Sequence, residues 1–258
     1  MRKIILLSLL LYALALTGCG NNNANEPEFE RTNEEDRMEI IPDFDQFASP
    51  AVGEEYVVIT TDYGIVELKL FPEFAPMAVE NFVTHAKNGY YDGLIFHRVI
   101  EDFMIQTGDP EGTGYGGESI FGGGFSIEPN PNLRHLNGAL AMARGSDPGS
   151  QGSQFYIVHN NELPDYYLSE FNYMKEHQDE ELEEGTGLLI KDLFPASLID
   201  RFIEHGGVPR LDFQYTVFGQ VISGIDVVRT IAAVATNEDD RPLTDVFMNK
   251  VEVKAYGS

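Results

Sequence analysis

The stretch FHRVIEDFMIQTGD, residues 96–109, sets an arginine among residues that favour a buried strand. Ile95, Phe96, Val99 and Ile100 surround Arg98 with apolar, β-favouring side chains. After a short acidic break the apolar pattern resumes with Phe103, Met104 and Ile105 and closes on a neutral amide, Gln106. Two readings compete. Alternation along a strand turns Arg98 outward, where most strand arginines lie. Alternatively, a site needs one fixed positive charge against an apolar wall.

The sequence on either side sets the context. YVVITTDYGIVELKLF (56–71) reads as two strands around a turn at Thr61-Asp62-Tyr63-Gly64. Pro76 opens a helix that runs to about Asn88, with Val79, Phe82, Val83 and Ala86 as its apolar stripe and Gly89 as its stop. Short strands are predicted at 94–100, 103–106, 139–143, 154–158, 215–222 and 247–255. A second helix is predicted from Ser223 to Ala233, with Ile225, Val228 and Ile231 on one side. Many short strands with two helices suggest an antiparallel barrel or sandwich. Residues 160–210 interrupt this pattern. Within the acidic segment EHQDEELEE (176–184), the run 179–184 is expected to form a solvated helix face. A helix is predicted from about Pro195 to His205, its apolar face made by Leu198, Ile199, Phe202 and Ile203. About 50 residues make a marginal core of their own, so this region reads as a helical insertion packed on the barrel.

Composition and motif tests narrow the chemistry. With 17 basic and 42 acidic residues the formal charge is −25, which argues against nucleic acid or an anionic lipid surface as the main partner. Gly112, Gly114 and Gly117 match G-x-G-x-x-G, but GESIFGGGF follows where a dinucleotide site needs a helix. That stretch reads instead as a flexible or tightly turned surface loop. Histidines 85, 97, 135, 159, 177 and 205 show no H-x-x-x-H spacing and there is one cysteine, so no metal site is expected. Ser150 and Ser153 lie in GSQGSQF, which is not a G-x-S-x-G nucleophile elbow. What remains is a set of apolar and uncharged polar residues around Arg98.

Four stretches carry a resemblance: FHRVIEDFMIQTGD, GTGYGGESIFG, AMARGSDPGSQGSQFYI (141–157) and LDFQYTVFGQVISGIDVV (211–228). In this order they resemble the successive signatures of cyclophilin-type peptidyl-prolyl isomerases, over about 55–257 apart from the insertion. The resemblance implies a closed eight-stranded antiparallel β-barrel capped by two helices. It also implies rotation about X-Pro bonds, which needs no nucleophile, metal or cofactor. That rotation faces a barrier of ~18–20 kcal/mol because amide resonance must be broken. As the bond twists, the proline nitrogen becomes a hydrogen-bond acceptor, and a rigid charged donor in a dry pocket favours that state.

By resemblance, Arg98, Phe103 and Gln106 are the catalytic residues. Phe103, Met104, Tyr156 and Leu211 would form the proline pocket. Gln106 and Gln154 would hydrogen-bond the substrate backbone, and Ala143 with Arg144 would line the groove. Tyr215 falls where many members have histidine. Arg144 stands where the better-known eukaryotic members carry asparagine. Arg210 takes the place of the tryptophan that precedes the position of Leu211 in those members, and the chain has no tryptophan. The insertion therefore enters at the rim of the site. The alternative is a cyclophilin-fold binding module that holds Pro-containing segments without turnover, its insertion recruiting a dedicated protein partner.

The N-terminus points to export. Arg2 and Lys3 precede an apolar run from Ile4 to Leu16, too short for a helical membrane span. Leu16-Thr17-Gly18-Cys19 follows and resembles a bacterial lipoprotein signal cut before a lipid-modified cysteine. The residues alone also admit an ordinary signal peptide with a stray cysteine, or a short membrane anchor. The expected organisation is a signal over 1–18, a lipidated Cys19 with an acidic tether over 19–54, and the isomerase domain over 55–258. Ile40, Ile41, Phe44 and Phe47 are candidates to dock on that domain. The expected location is the extracytoplasmic face of the cell membrane, with proline-containing exported proteins as clients.

Overall fold

The computed structural model describes residues 40, 41 and 44–257. The expected signal, Cys19 and most of the tether lie outside these residues. The nine strands are β1 (Glu55–Thr61), β2 (Gly64–Leu70), β3 (Leu94–Ile95), β4 (Arg98–Ile100), β5 (Met104–Thr107), β6 (Ala139–Met142), β7 (Phe155–Val158), β8 (Val217–Ser223) and β9 (Phe247–Ala255). They form one sheet in the order β3-β9-β1-β2-β8-β6-β7-β5-β4, and every pairing is antiparallel. This corrects the expected closed eight-stranded barrel to an open nine-stranded half-barrel. The physical reason lies in the run predicted as one strand over 94–100. Phe96 and His97 leave the ladder, so β3 pairs with β9 at one end of the sheet and β4 with β5 at the other.

Among the described residues five α-helices accompany the sheet: α1 (Pro76–Lys87), α2 (Asp165–Glu176), α3 (Ile190–Leu193), α4 (Ala196–His205) and α5 (Ile225–Ala232). Helix α1 starts on Pro76, and the Glu128 carboxylate accepts the free first-turn amides of Met77 and Ala78 at 3.2 and 2.9 Å. Its buried Phe82 meets Phe155 and Phe218 edge-on, with ring centroids 5.0 and 5.3 Å apart. This cluster is the centre of the main core. Asn81, fully buried on the same helix, donates to Gly152 O and accepts from Ile120 N, both at 2.9 Å. Helix α1 thereby fixes the chain that leads into β7.

The insertion is helical but not as read from sequence. Helix α2 is built on Tyr167, Phe171 and Met174, which repeat at helical spacing and were overlooked beside the acidic run. That run forms turns between α2 and α3 rather than a helix face. Helix α4 buries Leu198, Ile199 and Phe202, whereas Ile203 is exposed. Together these side chains make a second core with Leu136 of the sheet body, against which Phe47 packs.

The body begins before residue 55. Gln46 is buried and brackets the Arg134 backbone: its Oε1 accepts from Arg134 N at 3.0 Å and its Nε2 donates to Arg134 O at 2.9 Å. The Phe44 ring packs edge-on against Phe74 at 5.1 Å. Replacing Gln46 by Ala strips partners from a buried amide and carbonyl. The expected cost is about 1–3 kcal/mol, read as a lower urea midpoint at unchanged slope. An unchanged midpoint would show that this segment does not hold the body together.

Candidate active site

Side-chain alternation splits one wall of the sheet into two faces. Val99, Ile105, Leu140, Met142, Phe155 and Ile157 point into the main core. Their neighbours Met104, Ala141, Ala143, Tyr156 and Val158 point the other way and form a separate apolar cluster with Leu211, Phe103 and Tyr215. The ladders align this outer face into a row. Arg98 stands opposite Gln106, Gln106 opposite Tyr156, and Tyr156 opposite Ala141. The residues expected to form the proline pocket therefore share one surface, and Arg98 and Gln106 flank it.

Arg98 faces outward, on the side of the sheet that carries this apolar cluster. Its side chain is 43% exposed, and its Nε lies 3.4 Å from Asp240 Oδ2. Asp240 holds a left-handed backbone (φ 61°) and accepts Val99 N–H on its carbonyl at 2.8 Å. This contact is a half-exposed ion pair rather than a hydrogen bond, so the guanidinium fork is held only loosely. Next to it, Gln106 Nε2 donates to Gln154 Oε1 at 2.9 Å, and Gln154 Nε2 donates to Gly116 O at 2.8 Å. Ala143 N donates to Gln154 O at 2.9 Å, which carries the β6–β7 pairing to the groove edge.

The glycine-rich segment is tightly turned around Asp109. The buried Asp109 carboxylate accepts backbone N–H groups from Glu111, Thr113, Gly114 and Gly116. A side chain at Gly116 would place its Cβ 2.3 Å from Asp109 Oδ1, and one at Gly108 (φ 88°) would sit 2.5 Å from Ser153 O. Ser153 is fully buried and donates its Oγ to Gly108 O at 2.6 Å, which is a structural role.

Behind the pocket lies a buried polar chain that sequence reading missed. His135 Nδ1 lies 2.9 Å from Asp212 Oδ1, and its Nε2 lies 3.0 Å from the Tyr156 hydroxyl. With Nδ1–H donated to Asp212, Tyr156 O–H donates to Nε2. Burial holds the Tyr156 phenol well above its ordinary pKa, so it stays neutral. Arg134 NH1 stands 3.6 Å from Asp212 Oδ2, and its guanidinium lies over the rings of Phe213 and Phe194 at 4.4 and 5.1 Å. Its NH2 donates to Leu193 O in the insertion. The sequence signal was the adjacent Arg134-His135 pair set between Leu133 and Leu136. Its partner Asp212 is 77 positions away.

Two outcomes are expected. Asp212→Ala leaves a buried guanidinium uncompensated and should cost about 3–5 kcal/mol, seen as a large fall in the urea midpoint. Burial pushes the Asp109 carboxyl up, but its four backbone donors outweigh that and hold its pKa below the ordinary value. With an unfolded pKa of about 3.9, the resulting stability is complete above about pH 4 and fades as pH falls through the lower folded value. Asp109→Asn should lower stability at neutral pH and remove this component of the acid loss. Superimposable pH–stability curves would contradict the assignment.

Comparison with known proteins agrees with this geometry. Residues 56–253 match the family model described as cyclophilin type peptidyl-prolyl cis-trans isomerase/CLD. A Staphylococcus aureus (strain USA300) protein named "Putative peptidyl-prolyl cis-trans isomerase" is 47% identical over 202 residues, covering 78% of this chain and 93% of the relative. A Staphylococcus epidermidis protein of the same name is 43% identical over 202 residues, with the same coverage of 78% and 93%. Among solved structures, a cyclophilin-type isomerase from Cryptosporidium parvum, crystallised in the presence of the dipeptide Ala-Pro, is similar with a TM-score of 0.58 and 28% identity. The match covers 78% of this chain and 99% of that one. With the family model spanning most of the chain and the outer face carrying the residues its motifs lead one to expect, this chain belongs to the cyclophilin-type peptidyl-prolyl cis-trans isomerases.

Proposed function

We propose that this isomerase turns X-Pro bonds on the outer-face groove, with Arg98 as the group that favours the twisted amide. The observation that carries the assignment is the row Arg98–Gln106–Tyr156, which sets a guanidinium and an amide beside an apolar floor. Proline sits on Phe103, Met104, Tyr156 and Leu211. Gln106 and Gln154, which bond to one another, exchange that bond for the substrate backbone. Ala143, Arg144 and Tyr215 border the extended peptide. The Ala-Pro dipeptide present with the Cryptosporidium parvum relative is of the same substrate class. As the amide twists, Arg98 donates to the proline nitrogen; Asp240 pairs loosely on the Nε side and leaves its terminal nitrogens free.

Uncatalysed rotation takes tens of seconds. Catalysis at ordinary enzyme rates requires lowering the barrier by about 4–7 kcal/mol, at ~1.4 kcal/mol per decade. A charge-assisted bond made only in the twisted state supplies a large share of that. Arg98→Ala should therefore lower kcat/KM for a short X-Pro peptide by about 10²–10³, and Arg98→Lys should restore little of it, because an ammonium lacks the planar fork. Circular dichroism should show an intact fold, since Arg98 is half exposed. Activity unchanged in a folded Arg98→Ala protein would overturn the role given to Arg98, whereas peptide binding without acceleration in either protein would favour a binding module.

We place this activity outside the cytoplasmic membrane, on proline-containing exported proteins. Support comes from the basic start, the short apolar run and Leu16-Thr17-Gly18-Cys19. Two acyl chains on Cys19 give stable anchoring, at about 0.8 kcal/mol per buried methylene. In cells producing the full chain, wild type should fractionate with membranes and incorporate labelled palmitate, and Cys19→Ser should do neither. Membrane association that survives Cys19→Ser would contradict the anchor.

A further inference from the structure

The isomerase reading, on which this inference rests, uses Arg98 and leaves two other guanidiniums at the groove unexplained. Arg210, in the 3-10 turn Pro209–Leu211 that leads out of the insertion, is exposed and lies 4.7 Å over the Phe103 ring. Arg144, just past β6, lies 4.6 Å over the Tyr215 ring. It is fixed there by Nε–H donation to Gln214 O and NH1 donation to Gly145 O, both at 2.9 Å. Phe103 and Tyr215 are half-buried aromatics of the pocket cluster. Each thus carries a cation on its outer side.

The charge state of this rim is unusual for the chain. Arg98 has Asp240 as a carboxylate partner, but among the described residues no carboxylate lies within 4.0 Å of Arg144 or Arg210. In a protein with 42 acidic and 17 basic residues, two such cations on one apolar patch leave a local positive spot in a negative field. A guanidinium stacked on a ring keeps edge N–H donors directed away from it, with the planar fork that fits a carboxylate. We infer that the groove selects proline segments in which the residue before or after the proline is acidic, with Arg210 and Arg144 binding its carboxylate.

The test measures kcat/KM on short peptides carrying Glu, Ala or Lys immediately before the proline, and a second set carrying them immediately after. Wild type, Arg210→Glu and Arg144→Gln are compared. Selectivity is read as the Glu:Ala and Glu:Lys ratios within each protein, so a general loss of activity cancels. In wild type, one set should show Glu over Ala by about two- to thirtyfold, the range for one to two exposed charge pairs. Arg210→Glu should bring Lys above Glu in that set, and Arg144→Gln should reduce the Glu:Ala ratio. Equal acceleration of all peptides, or ratios untouched by both substitutions, would overturn the selectivity and leave the isomerase standing. Acceleration of none would overturn both.

Discussion

The two-residue period of β4, β5, β7 and β6 is the constraint on which the rest depends. A strand can bury only alternate residues on one side, so each residue that fills the main core hands its neighbour to the other face. Val99, Ile105, Phe155 and Ile157 close the core; Arg98, Gln106 and Tyr156 are consequently aligned outside it. Slipping β4 or β5 by one residue would send Arg98 or Gln106 into a phenylalanine-rich interior. The stability of the core and the composition of the groove are one register decision. Arg98 is an ordinary outward-facing strand arginine, and that same orientation is what the proposed role requires, because the proposed site lies on the outward face.

The outer face has support of its own, an apolar cluster to which a buried polar chain is joined at the Tyr156 hydroxyl. Arg134 is the hub. Its backbone is clasped by Gln46, its guanidinium lies between Phe194 and Phe213, and its charge is met by Asp212. Asp212 holds His135, and His135 holds the Tyr156 hydroxyl. The N-terminal approach, the insertion and the pocket floor are thus joined through one buried cation. Such networks are costly when incomplete. The insertion is in this sense part of the site's foundation, and its exit turn delivers Arg210 to the rim.

Much of this was legible in the sequence, for reasons that are local. The β1–β2 turn at Thr61–Gly64, the Pro76 helix start and the alternation in MIQT and FYIV each sit within a few residues. That Phe103, Met104, Tyr156 and Leu211 belong together was legible because their motifs run in a fixed order along the chain, and they share one cluster. What escaped was set by distant partners. The Phe96-His97 break that leaves the sheet open shows only once β3 meets β9 and β4 meets β5. The Arg134–Asp212 pair and the Asp240 carboxylate on Arg98 join residues far apart in sequence that carry no shared periodicity. Helix α2 had the helical spacing of Tyr167, Phe171 and Met174, but its neighbouring acidic run drew the eye to solvent.

The most direct test of the account is an amide and methyl NMR titration of the protein with a short Ala-Pro peptide, recorded while cis and trans peptide signals are followed for exchange. The account predicts exchange cross-peaks between the two peptide isomers. It also predicts shift changes concentrated on Met104, Gln106, Ala143, Gln154 and Tyr156, with their core-facing neighbours Ile105, Phe155 and Ile157 much less affected. Isomer exchange accompanied by shifts that avoid this outer face, or shifts confined to the insertion, would contradict the placement of the site on the alternating wall.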